Sequence, residues 1–260
     1  MKAENRRKIL SNVALLVALG VVSMNQAVAD TFVVSPNSYA STDGGNGAAL
    51  PFDLGDLILN SARYQQVYDA TEFSALSGPA EITKILFRPD VVGHAFSSTL
   101  SDIRIDLSTT SASAGGLSST FASNVGADDT IVYGGAAGSS LSLSSSFTGP
   151  SGGPKAFDIA INLTTPFLYD PSQGNLLLDV RNFGGGFTTP FDAETTSGST
   201  VSRAATFRTG NVSSSTADFT DSEGLVTEFE FRTPTATPEP SAWLLLGTCV
   251  VLALKRIRTV

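Results

Sequence analysis

The chain has 260 residues and a formal net charge of −8, with 24 acidic residues against 16 basic ones and one each of Cys, His and Trp. A single Cys excludes a disulfide framework within the chain and any metal site built on several thiolates. With no cluster of Lys and Arg in its central part, the chain also lacks the means for charge-driven binding to nucleic acid or anionic lipid.

Lys2, Arg6, Arg7 and Lys8 precede an apolar run from Ile9 to Val22, and Ala27 and Ala29 supply the small residues of a cleavage site. Residues 1–29 thus read as a secretory signal peptide, leaving Asp30 as the new N-terminus. The pair Arg6-Arg7 also fits a twin-arginine signal, so general secretion and export after folding both stay open. The body that follows, residues 30–237, keeps 9 of the basic and 22 of the acidic residues and has no Cys, Trp or Met. Its charge of about −13 suits an extracellular surface kept soluble by repulsion, or one that holds divalent cations.

The body is rich in Ser, Thr, Gly, Val and Phe and alternates with period two, with no sustained helical period. A strand is expected from Thr31, then a loop over Ser35 to Ala49. Strands follow over Arg63–Tyr68, Ile82–Arg88, Ser101–Thr109, Thr130–Tyr133, Ser140–Phe147, Ala156–Leu163, Asn175–Phe183, Val201–Arg208 and Leu225–Arg232, with one helical turn over Glu72–Leu76. The cleanest has Ile103, Ile105 and Leu107 on one face against Asp102, Arg104 and Asp106 on the other. About ten strands, each with one apolar and one polar face, predict a single antiparallel β-sandwich, jelly-roll-like, over residues 30–232.

Residues 233–260 form a linker and tail. Pro238-Glu239-Pro240 reads as a stiff, exposed link. An apolar run, 242–254, follows and ends at Lys255, Arg256 and Arg258. As a helix that run rises about 20 Å, a short membrane span whose basic end stays on the cytoplasmic side. The order Pro-Glu-Pro, apolar helix, basic cluster resembles the PEP-CTERM sorting signal of Gram-negative bacteria. The resemblance covers about a tenth of the chain. It implies processing by an exosortase, a membrane-embedded cysteine transpeptidase, and export into or near an extracellular polysaccharide layer. Phrases in the body, among them Arg63-Tyr64-Gln65-Gln66-Val67-Tyr68-Asp69 and Gly126-Ala127-Asp128-Asp129-Thr130, are similar to those of other exported PEP-CTERM proteins and supply no catalytic residues.

Candidate chemistry in the body is sparse. His94 is the single histidine, and no Gly-x-Ser-x-Gly elbow surrounds it; it reads as a loop residue. A glycoside hydrolase needs only two facing carboxylates, so a secreted polysaccharide hydrolase stays the alternative, although no catalytic constellation is visible and the body has no Trp to line a groove. Asp128 and Asp129, and less clearly Asp53 and Asp56, are candidate calcium ligands, against the plain role of Asp in turns. Tyr64 and Tyr68 flank Gln66 on one strand face, an aromatic–amide combination suited to sugar, against the equally ordinary half-buried pair. The expectation is a non-enzymatic surface or matrix protein, structural or carbohydrate-contacting, released by an exosortase. The other alternative is a tail-anchored periplasmic protein.

Overall fold

The computed structural model describes residues 30–194, 200–207 and 211–233. Ala27, Ala29, Pro238, Glu239, Pro240, Lys255, Arg256, Arg258 and the 242–254 run lie outside the described residues. The chain is nearly all β, and every strand pair is antiparallel. In order the strands are β1 (Thr31–Ser35), β2 (Gly45–Ala48), β3 (Ala62–Tyr68), β4 (Ala80–Phe87), β5 (Phe96–Thr110), β6 (Thr130–Tyr133) and β7 (Ser139–Ser145). They continue with β8 (Ile159–Tyr169), β9 (Asn175–Asn182), β10 (Phe191–Glu194), β11 (Val201–Ala205), β12 (Phe219–Asp221) and β13 (Thr227–Arg232).

One sheet has the order β1-β13-β4-β8. A larger one runs β12-β11-β3-β9-β5, with β6 and β7 both on the far edge of β5, and β2 and β10 form a separate ribbon. The pairing is nested: β1 with β13, β3 with β9, β4 with β8, and β5 with β6 and β7. The inner faces of the two sheets share one core. Ile82, Ile85, Phe229 and Phe231 meet Tyr64, Tyr68, Ile103, Ile105, Leu176 and Val180 there. Thr164 of β8 donates to the Val132 carbonyl of β6 at 2.9 Å and ties one flank of the sandwich-like stack. Phe73, at the end of a 3-10 turn (Ala70–Phe73), meets Tyr169, Phe229 and Phe231 edge-on. The Asp69 carboxylate accepts from Thr71 N at 2.8 Å and caps that turn, so the expected helical turn forms slightly earlier and tighter than Glu72–Leu76.

All ten predicted strands are present, Thr130–Tyr133 with its expected bounds and the others with shifted ends, the largest shift being the extension of β8 to Tyr169. Three more were not predicted. β2 lies inside the expected 35–49 loop because its sequence, Gly-Asn-Gly-Ala, has no alternation to read. It pairs with β10 through its backbone, and just before it a Cβ on Gly44 would stand 2.3 Å from the Ala193 carbonyl oxygen. β10 and β12 are likewise too short for a pattern to show.

The expectation of a solvated outer face fails for the centre of the large sheet. Leu177 and Asp179 of β9 are buried, as are Leu176 and Leu178. Residues 112–125 fold over this side, and Ala114, Leu117 and Phe121 pack on Val67, Leu177 and Ala204. These apolar residues are spaced irregularly among Ser and Gly, so the stretch reads as plain loop.

Candidate functional site

The strand parity of β3 does put Tyr64, Gln66 and Tyr68 on one face, but that face is the inner one. All three are fully buried. The Tyr64 hydroxyl donates to Gln66 Oε1; that oxygen also accepts from Leu225 N at 2.8 Å, and Gln66 Nε2 donates to the Leu225 carbonyl at 2.9 Å. Tyr68 Oη shares a 2.8 Å hydrogen bond with Thr227 Oγ1, and its ring meets Phe229 edge-on. Burial pushes both phenols upward. These residues register β3 against the segment that opens β13 and offer no surface to a sugar. Parity alone could not say which side was core, because polar residues of β3 face both ways.

In the acidic turns one carboxylate of each pair bonds to the backbone and the other is exposed. Asp128 is exposed, and its Oδ1 accepts from Thr109 N at 2.7 Å, pinning the turn to β5. Asp129 beside it is exposed, and among the described residues the two join no third His, Cys, Asp or Glu in a group that could hold an ion. Asp53 is buried and accepts from Thr188 N at 3.0 Å, while Asp56 is exposed. His94 is exposed; its backbone N–H donates to Thr189 Oγ1 at 3.0 Å, and its ring reaches the same oxygen at 3.4 Å.

A groove of about 340 Å³ opens where β2 meets the β11–β12 hairpin. Strand register builds it. Arg203 stands opposite Asp221, and Ala205 opposite Phe219. Arg203 Nε donates to Asp221 Oδ1 at 2.7 Å, while Nη2 reaches Asp221 Oδ2 at 3.1 Å and Glu223 Oε2 at 3.0 Å. Asn46 of β2 donates to the same Glu223 oxygen at 3.2 Å. The guanidinium lies over the Phe219 ring at 5.4 Å, and Phe207 meets Phe219 nearly at right angles, 6.4 Å between centroids. Phe207 is 43 % exposed and Glu223 keeps 45 % of its side-chain surface. The groove thus offers the exposed Phe207 ring beside a fixed carboxylate–guanidinium–amide set that packs on Phe219. Phe219, Asp221 and Glu223 alternate with Thr220 and Ser222, which was the only signal in the sequence.

Behind the β2–β10 ribbon lies a group of buried charges. Oxygens of Asp43, Asp90 and Asp192 come within 4.8 Å of one another, the one set among the described residues where three carboxylates could share an ion. The group already contains a cation. Arg88 is 1 % exposed and donates through Nε to Asp192 Oδ2 at 2.7 Å and through Nη2 to the Tyr39 and Thr42 carbonyls at 2.9 and 2.5 Å. Asp192 Oδ1 accepts from Gly44 N at 2.9 Å. Gly47 joins the two places: it lines the groove, and a Cβ on it would come 3.2 Å from the Asp90 carboxyl carbon. The buried charges therefore hold the wall of the groove in place.

No protein-family model matches the chain, and no curated protein matches it.

Proposed function

We propose that the chain is an exported protein, released from its C-terminal tail by an exosortase, whose β-domain contacts polysaccharide at the cell surface or in the matrix without catalysing a reaction. The observation that carries the sugar reading is the groove at Phe207, Phe219, Asn46, Arg203 and Glu223. Aromatic rings take the C–H faces of a sugar, and a fixed polar set orders its hydroxyls. The nested strand pairing and the order β1-β13-β4-β8 over β3-β9-β5-β6 support the finer reading of the fold as a jelly roll, with β2, β10, β11 and β12 added at one side. That architecture is shared by proteins of many functions, so the groove carries the argument and the fold does not.

The mature protein is expected to co-sediment with the extracellular polysaccharide of the cell that makes it, and to do so in chelator, because Glu223, the carboxylate that lines the groove, is already held by Arg203 and Asn46. Phe207→Ala, which removes an exposed ring, is expected to weaken binding about tenfold, in line with about 1–1.5 kcal/mol for one aromatic contact. Full binding by that variant would sink the groove reading. Processing is tested separately by intact mass: loss of the residues after the Pro238-Glu239-Pro240 region is expected, and a retained tail would leave a membrane-anchored protein instead.

A further inference from the structure

On the outer side of the large sheet, the registers of β3, β9 and β5 place Arg63 opposite Arg181 and Arg181 opposite Arg104. With neighbouring strands about 4.8 Å apart, three arginines stand in one transverse row about 10 Å long. Two residues along each strand on the same side, the next row is Gln65, Asp179 and Asp106. Two carboxylates thus face three guanidinium groups, and both are taken by the outer arginines. Arg63 donates to both oxygens of Asp179, at 3.1 and 2.5 Å, and Gln65 Nε2 donates to Asp179 at 2.8 Å. Arg104 holds Asp106 through Nε and Nη2 at 2.8 to 3.0 Å.

The central arginine is left over. Arg181 has Asp179 only at 3.9 Å, and its Nε is buried with no acceptor among the described residues. Its side chain is the most open of the three, 26 % exposed against 12 % and 15 %. The remaining nearby carboxylate is Asp129, exposed but partly desolvated by its neighbours; that desolvation, with Asp106 and Asp179, pushes its carboxyl up, while Arg104 and Arg181 pull it down. Like charges directly across neighbouring strands cost stability, and so does a buried donor without an acceptor. Core packing does not require that cost at a half-exposed position. A planar oxyanion on the open part of the Arg181 guanidinium would offset the repulsion along the row, and a guanidinium is the group best shaped to hold it.

We infer that Arg181, flanked by Arg63 and Arg104, is an oxyanion site that takes a carboxylate or sulfate group of an acidic polysaccharide. It shares no residue with the groove.

The test is the thermal midpoint of the purified exported protein in sodium glucuronate and in sodium sulfate, each against sodium chloride at matched ionic strength. Sulfate stabilises folded proteins in general by exclusion from their surface, so the difference between wild type and Arg181→Gln is the readout. A saturable rise of about 4 °C at ten times the dissociation constant is expected in wild type and is lost in the glutamine variant. Arg181→Lys, which keeps the charge without the fork, is expected to respond about tenfold more weakly and serves if the glutamine variant does not fold. A response to one salt alone supports the site and names its ligand. Absence of any saturable rise, or an undiminished rise in both variants, overturns the proposal. Phe207→Ala should keep the full response, so failure of the groove reading and failure of this one are distinguishable.

Discussion

Replacing Arg88 with alanine is expected to destabilise the protein by about 3–5 kcal/mol, the cost of leaving a buried carboxylate without its cation. Arg88 does more than pair with Asp192. Its Nη2 fastens the Tyr39 and Thr42 carbonyls of the segment leading into β2, and its guanidinium lies 4.7 Å from the centroid of the Phe157 ring. Removal would leave Asp192 buried beside Asp43 and Asp90, with oxygens within 4.8 Å and no cation between them. Burial, the largest cause, already pushes Asp192 up to about 6 in the presence of Arg88, and Asp43 adds to it, while Arg88 and the Gly44 N–H oppose it. The loss should therefore be smaller at pH 5, where Asp192 holds a proton in both proteins, than at pH 8. Urea denaturation of the variant at pH 5 and at pH 8 measures both effects. A loss under about 1 kcal/mol at pH 8 would mean that water reaches the pair and that it behaves as a surface ion pair.

The double replacement Arg88→Met with Asp192→Leu separates pairing from packing. Substituting both partners of a buried ion pair by apolar groups is often close to neutral. Here it also takes an acceptor from Gly44 N and two donors from loop carbonyls, so recovery should be partial. Groove binding should fall with it, since the same charges fix the ribbon that carries Asn46 and Gly47.

Much of the strand framework is legible because alternation reports a sheet with one face in a core. Ile103, Ile105 and Leu107 in β5, and Leu225, Thr227, Phe229 and Phe231 at the other end of the chain, are buried as their parity requires. What parity does not report is which side is core when both sides carry polar groups, and Tyr64 and Tyr68 were lost to that ambiguity. Nor does it report cover supplied from elsewhere: Asp106 and Asp179 look solvent-facing but are 2 % and 3 % exposed. The groove is harder still. Asn46 and Arg203 are 157 positions apart, and only the pairing of β2, β11 and β12 with their neighbours gives them a common wall. Glu223 and Phe207 were visible as residues and invisible as a site. The Arg63–Arg181–Arg104 row has the same origin, since register between strands fixes it and no local pattern announces it.

Raising the pH from 5 to 8 is expected to destabilise the protein, opposite to the usual behaviour of carboxylates that gain partners on folding. Glu194 is 4 % exposed, its Oε2 has no hydrogen-bond partner among the described residues, and burial, then the charge of Glu72, pushes its carboxyl up to about 7. Glu72 is itself raised by burial and by Asp69, against hydrogen bonds from Asn37 N and Thr200. Asp192 stands at about 6. In each case the native state holds a proton that the unfolded chain has already released above its ordinary carboxylate pKa. The stability these groups contribute is complete below that value and is lost as pH rises through about 6 for Asp192 and about 7 for Glu194. The slope approaches about 1.4 kcal/mol per pH unit for each group while it titrates. Glu230 is held lower, chiefly by Lys84 and Thr83 against the effect of burial, so its contribution is lost only as pH falls below the carboxylate range. The maximum should lie near the ordinary carboxylate range, at about pH 4. Glu194→Gln keeps the shape and removes the charge, and it should be about 2 kcal/mol more stable than wild type at pH 8 and nearly equal to it at pH 5. Denaturant midpoints of the two proteins across that range decide the matter. If the glutamine variant follows the wild-type curve throughout, Glu194 is solvated when charged, and the decline must come from the other raised carboxylates, Asp192 and Glu72 among them.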